Sequence, residues 1–299
     1  MKRNADYSSL PLVLGFPEYA EQARRFAARA GLDYAQVQVH RFPDGESRVR
    51  LPAELPPRIH FCRSLDRPNY KLVELALAAQ TARDLGAEDL TLVAPYLCYM
   101  RQDMAFVPGE AVSQRIIGRL LAALFDGLIT VDPHLHRVAR LEDAVPTPRA
   151  KCLTAAPLVG DCIAKGQADA LLVGPDSESE QWVAAIAAEL KLDYTIGVKE
   201  RFGDRSVRVR FPDIDCGGRR VVLVDDVAST GRTLESAAAA LAPMAPASVS
   251  AFVTHALFLE GALDRLRAAG VGEVWSTDSI PHTTNRLHLD SLLAGALHN

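Results

Sequence analysis

The sequence predicts an α/β protein of two tandem domains, each with a mainly parallel sheet covered by helices. Short apolar runs rich in β-branched residues alternate with longer segments of helical periodicity, the pattern of parallel sheets. Several runs end in aspartate, as in LITVD, LLVGPD and VVLVDD, where open α/β sheets bind ligands. The length of 299 residues suits two domains of ordinary size.

The expected elements follow from this alternation in chain order. Strands are expected at 11–15, 35–40, 58–62, 90–96, 127–132, 170–174, 193–198, 206–211, 220–226, 248–255 and 273–278. Helices are expected near 17–30, 69–85, 111–125, 156–164, 178–190, 231–242, 260–269 and 290–297. The proline-rich, polar segment EDAVPTPRAKCLTAAP (142–157) is the best boundary. We therefore expect domains at 1–148 and 149–299, with the C-terminal helix a candidate to pack back on the first.

Composition excludes several classes of partner. A formal charge of −4 gives no reason to expect nucleic acid, which a basic stripe would attract. No apolar run is long enough to span a membrane, and the N-terminal stretch is a poor signal peptide. The five cysteines are scattered and form no CxxC, as expected of reduced thiols in a cytoplasmic protein.

The stretch VVLVDDVASTGRTL (221–234) carries the strongest chemical signal. Asp225 and Asp226 end an apolar strand, and a polar turn from Ser229 to Thr233 leads into a helix. Backbone amides at a helix start hold phosphate oxygens, Gly231 permits close approach, and the hydroxyls of this turn add donors. The carboxylates suit ribose hydroxyls at the other end of a sugar phosphate. The alternative is an acidic strand end followed by a threonine N-cap, and the P-loop pattern is absent.

Other stretches are ambiguous on their residues alone. HRFPDGESRVRL (40–51) is either an extended aromatic and acidic face that suits an aminopurine, or a surface hairpin with a Pro-Asp-Gly turn. The RQD of APYLCYMRQD can bind triphosphate or carry ordinary solvated charge. The histidine of LITVDPH is either a metal ligand or structural, as a lone histidine usually is. The two cations of GVKERFG either face one ligand from alternate positions of a strand or are solvated.

Taken together and in order, these stretches resemble those of the ribose-phosphate pyrophosphokinases, also called phosphoribosyl pyrophosphate (PRPP) synthetases. VVLVDDVASTGRTL is similar to the PRPP-binding loop of the type I phosphoribosyltransferase fold, and STDSIP (276–281) is similar to the family's C-terminal segment. The resemblance covers nearly the whole chain. It implies two Rossmann-like phosphoribosyltransferase-type domains that transfer the β,γ-diphosphoryl group of ATP to the 1-hydroxyl of D-ribose 5-phosphate.

The resemblance also implies roles for individual residues. ATP would be bound by Phe42, Asp44, Glu46, Arg101, Gln102, Asp103 and His134. Ribose 5-phosphate would be bound by Asp225, Asp226, Ser229, Thr230, Gly231, Arg232 and Thr233. Mg²⁺ would be held by His134 and Asp176, with Asp132 as a possible orienting partner, and catalysis would rest on Lys199 and Arg201. A homo-oligomer, at least a dimer, is implied, with the adenine site at a subunit interface.

The sequence departs from the common bacterial pattern of the family. Met104, Ala105 and Phe106 stand where many bacterial members carry basic residues, so the loop is closer to the archaeal type. We therefore expect weak regulation by ADP and no dependence on phosphate. Glu178 and Ser179 replace two glycines, and His136 has no expected role. The rival interpretations are a non-catalytic PRPP synthetase-like subunit and a PRPP-binding phosphoribosyltransferase or regulator.

Overall fold

The chain forms two compact units in a computed structural model. The backbone is described at 10–135, 137–166, 169–202, 206–212 and 214–298, and the side chains at these positions except 199–202, 206–208 and 298. The first unit comprises Met1–Leu153 and Leu289–Asn299, and the second Thr154–His288. None of the described helices is long and apolar enough to cross a membrane.

The first unit is built around a six-stranded parallel sheet in the order β2-β1-β5-β6-β7-β8. Its elements are β1 Leu12–Gly15, α1 Ala20–Ala30, β2 Asp33–Gln36, β3 Gln38–Arg41, β4 Ser47–Arg50, β5 Arg58–Cys62, α2 Pro68–Asp84, β6 Asp89–Val93, α3 Ser113–Leu124, β7 Gly127–Val131, α4 Leu141–Ala144 and β8 Arg149–Leu153. Strands β3 and β4 form a separate antiparallel hairpin. The C-terminal helix, Asp290–His298, packs against α1.

Burial of both faces explains why the inner strands β1, β6 and β7 are almost continuously apolar. All five residues of β7 are buried, as expected for a strand covered by helices on both sides. One face, with Ile59 and Phe61, packs on α2 and α3 in a single apolar cluster. Helix α1 buries Ala23, Phe26 and Ala27, and ends at Gly31, whose left-handed φ of 66° closes the helix.

The second unit repeats the plan with a six-stranded parallel sheet in the order β10-β9-β13-β14-β15-β16. Its elements are α5 Ala156–Gly166, β9 Leu171–Gly174, α6 Glu180–Leu190, β10 Tyr194–Ile196, β11 Val198–Phe202, β12 Ser206–Arg210, β13 Arg220–Ala228, α7 Arg232–Leu241, β14 Ser248–Ala256, α8 Ala262–Ala268, β15 Val271–Thr277 and β16 Asn285–Leu287. Strands β11 and β12 form a separate hairpin. The strand order reverses between β9 and β13, which makes their carboxyl ends the switch point of the sheet.

The fold class is therefore confirmed, while several elements differ from expectation. The single strand expected at 35–40 is two strands, because β2 joins the large sheet and β3 leaves it for the hairpin. The strand expected at 193–198 divides in the same way at Gly197, where a Cβ atom would lie 2.5 Å from the carbonyl oxygen of Pro175. Strands β4, β8 and β16 were not expected.

The division between the units falls after Leu153, rather than at 148/149. Strand β8 lies inside the proline-rich boundary segment, yet it pairs in register with β7 and so belongs to the first sheet. The C-terminal helix likewise groups with the first unit, where its residue Ala296 accepts a 2.7 Å hydrogen bond from the Lys151 ammonium.

Candidate active site

Two carboxylates lie within the carboxyl-terminal half of β13. Asp225 and Asp226 are 9% and 3% exposed, and the strand continues two residues beyond them to Ala228. Burial, together with the neighbouring carboxylates of Asp226 and Asp176, raises the pKa of Asp225 well above its ordinary value. Repulsion among neighbouring carboxylates is relieved by a cation or by hydroxyl donors.

The turn after β13 presents backbone amides at the start of α7. Gly231 occupies the N-cap position with a left-handed φ of 74°, and no side chain caps the helix there. The expected alternative of a threonine N-cap is therefore wrong. The Thr230 hydroxyl instead accepts a long 3.4 Å hydrogen bond from the Arg232 amide. The helix start keeps donors available for an anion.

The same turn is held from outside by residues that sequence reasoning did not identify. Arg265 in α8 donates from Nη2 to the carbonyl oxygen of Thr230 over 2.8 Å. The amide of Leu259 donates to the carbonyl oxygen of Ser229 over 3.0 Å. Both contacts join residues distant in sequence, so no local motif could have indicated them.

Asp176 lies just beyond β9, beside β13 at the switch point of the second sheet. Its side chain is 6% exposed and accepts a 3.1 Å hydrogen bond from the Glu178 amide, which caps a short 3₁₀ turn. Ser179 adds a 2.6 Å hydrogen bond from its hydroxyl to the Asp176 carbonyl oxygen. The two residues that replace the family's glycines thus form a closed turn around Asp176.

Lys199 and Arg201 lie on β11, which pairs antiparallel with β12. Their backbone partners are Val209 and Val207. Residues two apart on a strand project to the same face, so the backbone is compatible with both cations meeting one ligand. Their side chains lie outside the described residues, and their roles stay predictions.

In the first unit, Phe42 to Glu46 form the turn of the β3–β4 hairpin. Of the two arrangements left open by the sequence, the structure has the hairpin, because the Phe42 amide donates to the Glu46 carbonyl oxygen over 2.8 Å. Asp44 accepts a 3.1 Å hydrogen bond from the Glu46 amide. The Pro43-Asp44-Gly45 sequence favours a tight turn, and Gly45 supplies the required positive φ of 93°. Phe42 is 39% exposed at the tip, with its ring edge-on to His40.

The Arg101–Asp103 segment begins a loop that leads into α3. Arg101 is exposed, whereas Gln102 uses both ends of its amide within the loop, at 2.9 Å from Glu110 and 2.8 Å from Ser113. Asp103 is buried, and its Oδ1 accepts a 2.7 Å hydrogen bond from Arg137 Nη1, with which it forms an ion pair. The structure therefore gives Gln102 and Asp103 internal partners, and leaves Arg101 as the exposed cation of the three.

Asp132 and His134 follow β7. Asp132 is 5% exposed and has a positive φ of 38°, while its amide donates to the Leu153 carbonyl oxygen over 2.9 Å. His134 is half-buried, and His136 lies outside the described residues. No cluster of three or more His, Cys, Asp or Glu side chains poised to hold a metal occurs in the described part of the chain.

Comparison with known proteins defines the class to which this fold and site belong. A family model for the N-terminal domain of ribose phosphate pyrophosphokinase matches residues 12–124, and one for the phosphoribosyl transferase domain matches residues 154–271. The chain is thus a tandem protein of the phosphoribosyltransferase fold. A crystal structure of phosphoribosylpyrophosphate synthetase from Mycobacterium smegmatis shares that fold, with a TM-score of 0.83 at 22% identity over 97% of this chain and 98% of that one.

Curated relatives narrow the class to one family. The ribose-phosphate pyrophosphokinase of Methanopyrus kandleri is 34% identical over 96% of this chain and 99% of its own length. Ribose-phosphate pyrophosphokinase 2 of Archaeoglobus fulgidus is 32% identical over 94% and 98%. The chain belongs to the ribose-phosphate pyrophosphokinase family, and the resemblance stated from the sequence is confirmed.

Proposed function

We propose that this protein transfers the β,γ-diphosphoryl group of ATP to the 1-hydroxyl of D-ribose 5-phosphate, giving PRPP and AMP. Support comes from the family, whose members are named for this reaction, and from one observation above all. Buried carboxylates in β13 lie next to a helix start that no side chain caps. That juxtaposition provides acceptors for sugar hydroxyls beside donors for a phosphate.

Ribose 5-phosphate is assigned to the second unit. The turn from Ser229 to Thr233 would bind the 5-phosphate through its amides and hydroxyls, with the α7 dipole favouring the negative charge. Asp225 and Asp226 would accept hydrogen bonds from the ribose hydroxyls. The Arg265 contact to Thr230 would hold this loop in place around the phosphate.

ATP is assigned to the first unit through the tip of the β3–β4 hairpin. Phe42 offers an exposed aromatic ring, and Asp44 and Glu46 offer acceptors for the 6-amino group of adenine. Arg101, which is exposed, would bind phosphate oxygens, with Gln102, Asp103 and His134 completing the site. We place this hairpin against a neighbouring subunit of a homo-oligomer of two or more copies.

The carboxylates of the second unit fit a divalent metal. Mg²⁺ prefers oxygen ligands, and it is commonly held by one or two carboxylates together with water and substrate phosphates. Burial raises the pKa of Asp225, and the neighbouring carboxylates of Asp226 and Asp176 raise it further; a cation would relieve the repulsion among these three groups. Asp176 would hold Mg²⁺, which would supply charge neutralisation to the phosphates. In the first unit, His134 stays a predicted Mg²⁺ ligand, with Asp132 as the residue that would orient it.

The chemistry that remains for the protein is positioning and charge stabilisation. The ribose 1-oxygen forms a bond to the β-phosphorus, the bond from that phosphorus to the α,β-bridging oxygen breaks, and AMP departs with the electron pair. The proton of the 1-hydroxyl is released as the new bond forms. Lys199 and Arg201 would stabilise the charge on the diphosphoryl oxygens during transfer. We place the reaction in the cytoplasm, where the five thiols, none of which is in a disulfide, would stay reduced.

A direct assay tests this proposal. Purified protein with ATP, ribose 5-phosphate and Mg²⁺ should release AMP and form PRPP in equal amounts. Thr230→Val should raise KM for ribose 5-phosphate well before KM for ATP, because it removes one donor of the phosphate turn. PRPP consumption with a nucleobase would favour a phosphoribosyltransferase. Absence of any turnover by folded protein would favour a non-catalytic subunit.

A further inference from the structure

A fully buried carboxylate lies beneath the β3–β4 hairpin. Glu74 on α2 has no exposed side-chain surface, and its Oε1 accepts 2.9 Å hydrogen bonds from Arg41 Nε and Ser47 Oγ. Its Oε2 accepts from Arg63 Nη2 and, over 3.4 Å, from Arg41 Nη2. These four residues, Arg41, Ser47, Arg63 and Glu74, are called the Glu74 cluster below.

Arg63 fixes the cluster from the sheet side. It is fully buried, and its Nε donates to Glu18 over 2.7 Å while its Nη1 donates to the Lys71 carbonyl oxygen over 3.0 Å. Its guanidinium also stacks 3.9 Å above the Phe16 ring. Because each of its three guanidinium nitrogens donates a hydrogen bond, the Arg63 side chain has little freedom to move and holds Glu74 in a fixed place.

Arg41 and Ser47 attach the hairpin to this fixed base. They are directly opposite each other in the β3–β4 register, at the two ends of the turn from Phe42 to Glu46. The Arg41 guanidinium lies 3.9 Å above the Tyr70 ring of α2. One carboxylate therefore holds both strands of the hairpin at the point where the turn begins and ends.

The position of the cluster in the first sheet has its own significance. The strand order reverses between β1 and β5, so their carboxyl ends form the switch point where such sheets bind ligands. Phe16 follows β1 directly and Arg63 follows β5 directly. In the first unit the ion pair of Arg63 with Glu74 lies at this crevice. The equivalent crevice of the second unit lies beside the carboxylates of Asp176 and Asp225.

Stability alone does not account for so many buried charges. Well-packed apolar residues in place of a buried ion pair are often equally stable, because desolvation offsets the attraction between the charges. Burial would raise the pKa of Glu74, but hydrogen bonds from Arg41 and Arg63 outweigh it and lower that pKa, so the carboxylate stays ionised. A two-stranded hairpin outside the main sheet has little rigidity of its own, and directional hydrogen bonds supply it.

We propose that Glu74 is a positioning residue for nucleotide recognition. Through Arg41 and Ser47, Glu74 holds the turn of the hairpin in the orientation in which Phe42, Asp44 and Glu46 bind the adenine base. This inference rests on the proposed assignment of ATP to the hairpin. It predicts that loosening the hairpin from Glu74 weakens ATP binding and base selection, while ribose 5-phosphate binding in the other unit is retained.

The test uses variants that release the hairpin but keep the Arg63–Glu74 pair. Direct replacement of Glu74 would leave Arg63 buried without its anion and would risk unfolding. Arg41→Ala and Ser47→Ala avoid this, since Arg41 is half exposed and Ser47 is only an additional donor. We expect KM for ATP to rise about tenfold in Arg41→Ala and less in Ser47→Ala, as for loss of a hydrogen bond to a charged group.

Further measurements and two control variants make the result specific. KM for ribose 5-phosphate and kcat at saturating ATP should stay within about twofold, and the preference for ATP over GTP should fall. Ser47→Thr should restore the parental KM for ATP, because it keeps the hydroxyl. Arg83→Ala is the matched control. Like Arg41, Arg83 donates to a carboxylate, that of Asp126, over 2.6 Å; it also donates to the Glu88 carbonyl oxygen over 2.6 Å, and its hydrogen bonds do not involve the hairpin.

The outcomes separate the inference from the function on which it rests. Phe42→Ala is measured in parallel. If it raises KM for ATP while Arg41→Ala and Ser47→Ala do not, the positioning role is refuted and the adenine site stands. If Phe42→Ala also has no effect, the adenine assignment fails and the inference fails with it. Equal rises in both Michaelis constants, matched by Arg83→Ala, would assign the Glu74 cluster to stability alone.

Discussion

Gly118, buried in α3, has no room for a side chain without displacement of its neighbours. A Cβ atom built there would lie 1.8 Å from the carbonyl oxygen of Ala144 and 2.8 Å from its carbonyl carbon. Both atoms are backbone, in a segment fixed by a 2.8 Å hydrogen bond from the Val145 amide to the Leu141 carbonyl oxygen. To restore even a 3.0 Å contact, α3 and this segment must separate by about 1.2 Å.

The magnitude follows from two opposing contributions. Extra atoms forced into a close-packed interior cost about 1–3 kcal/mol, and rigid backbone neighbours place Gly118→Ala at the upper end. Alanine recovers about 1 kcal/mol through its higher helix propensity. We therefore expect the free energy of unfolding to fall by about 2 kcal/mol, which corresponds to a Tm lower by roughly 4–8 °C.

Thermal and urea unfolding of Gly118→Ala, compared with Gly295→Ala, measures this effect. Gly295 lies in the C-terminal helix with nothing within 4 Å of a built Cβ, so alanine there should stabilise by about 0.5–1 kcal/mol. Gln114 of α3 donates to the Met100 carbonyl oxygen over 3.1 Å, so displacement of α3 should also raise KM for ATP. Parental stability of Gly118→Ala, or equal losses in both variants, would refute the packing argument.

Three further predictions concern pH, catalysis and regulation. His60 lines a cavity of about 410 Å³ in the first unit, and burial lowers its pKa to about 4. Because His60 takes up a proton near pH 6.5 in the unfolded chain but only near pH 4 in the folded one, the free energy of unfolding should fall by about 3 kcal/mol between pH 6.5 and 4. In His60→Leu the urea midpoint should depend less on pH across that range. An unchanged pH dependence in this variant would contradict the prediction. Lys199→Ala and Arg201→Ala should each lower kcat by about 10²-fold with little change in KM, and near-normal turnover in both would remove them from the mechanism. Without basic residues at 104–106, ADP inhibition should be weak and activity independent of added phosphate; sigmoidal ADP inhibition would overturn this.

The sequence by itself determined the elements whose signal is local. Alternation of apolar strands and amphipathic helices indicated parallel sheets, and the described sheets have a strand in each of the expected ranges. The site in β13 was also readable, because two aspartates, a turn and a helix start are contiguous in the chain. The proposed binding of ribose 5-phosphate there uses residues that are neighbours in the sequence, and they remain neighbours in the fold.

Only the tertiary structure decided features that depend on partners distant in the chain. An unbroken run at 35–40 divides between two sheets because its halves meet different neighbours. In the sequence, Glu74 is an ordinary residue of a predicted helix, and only the fold brings it to Arg41, 33 positions away. Arg265 likewise bonds Thr230 across 35 positions. Hydrogen bonds and burial act through space, whereas periodicity and turn propensity act along the chain, so the local sequence carried no sign of these contacts.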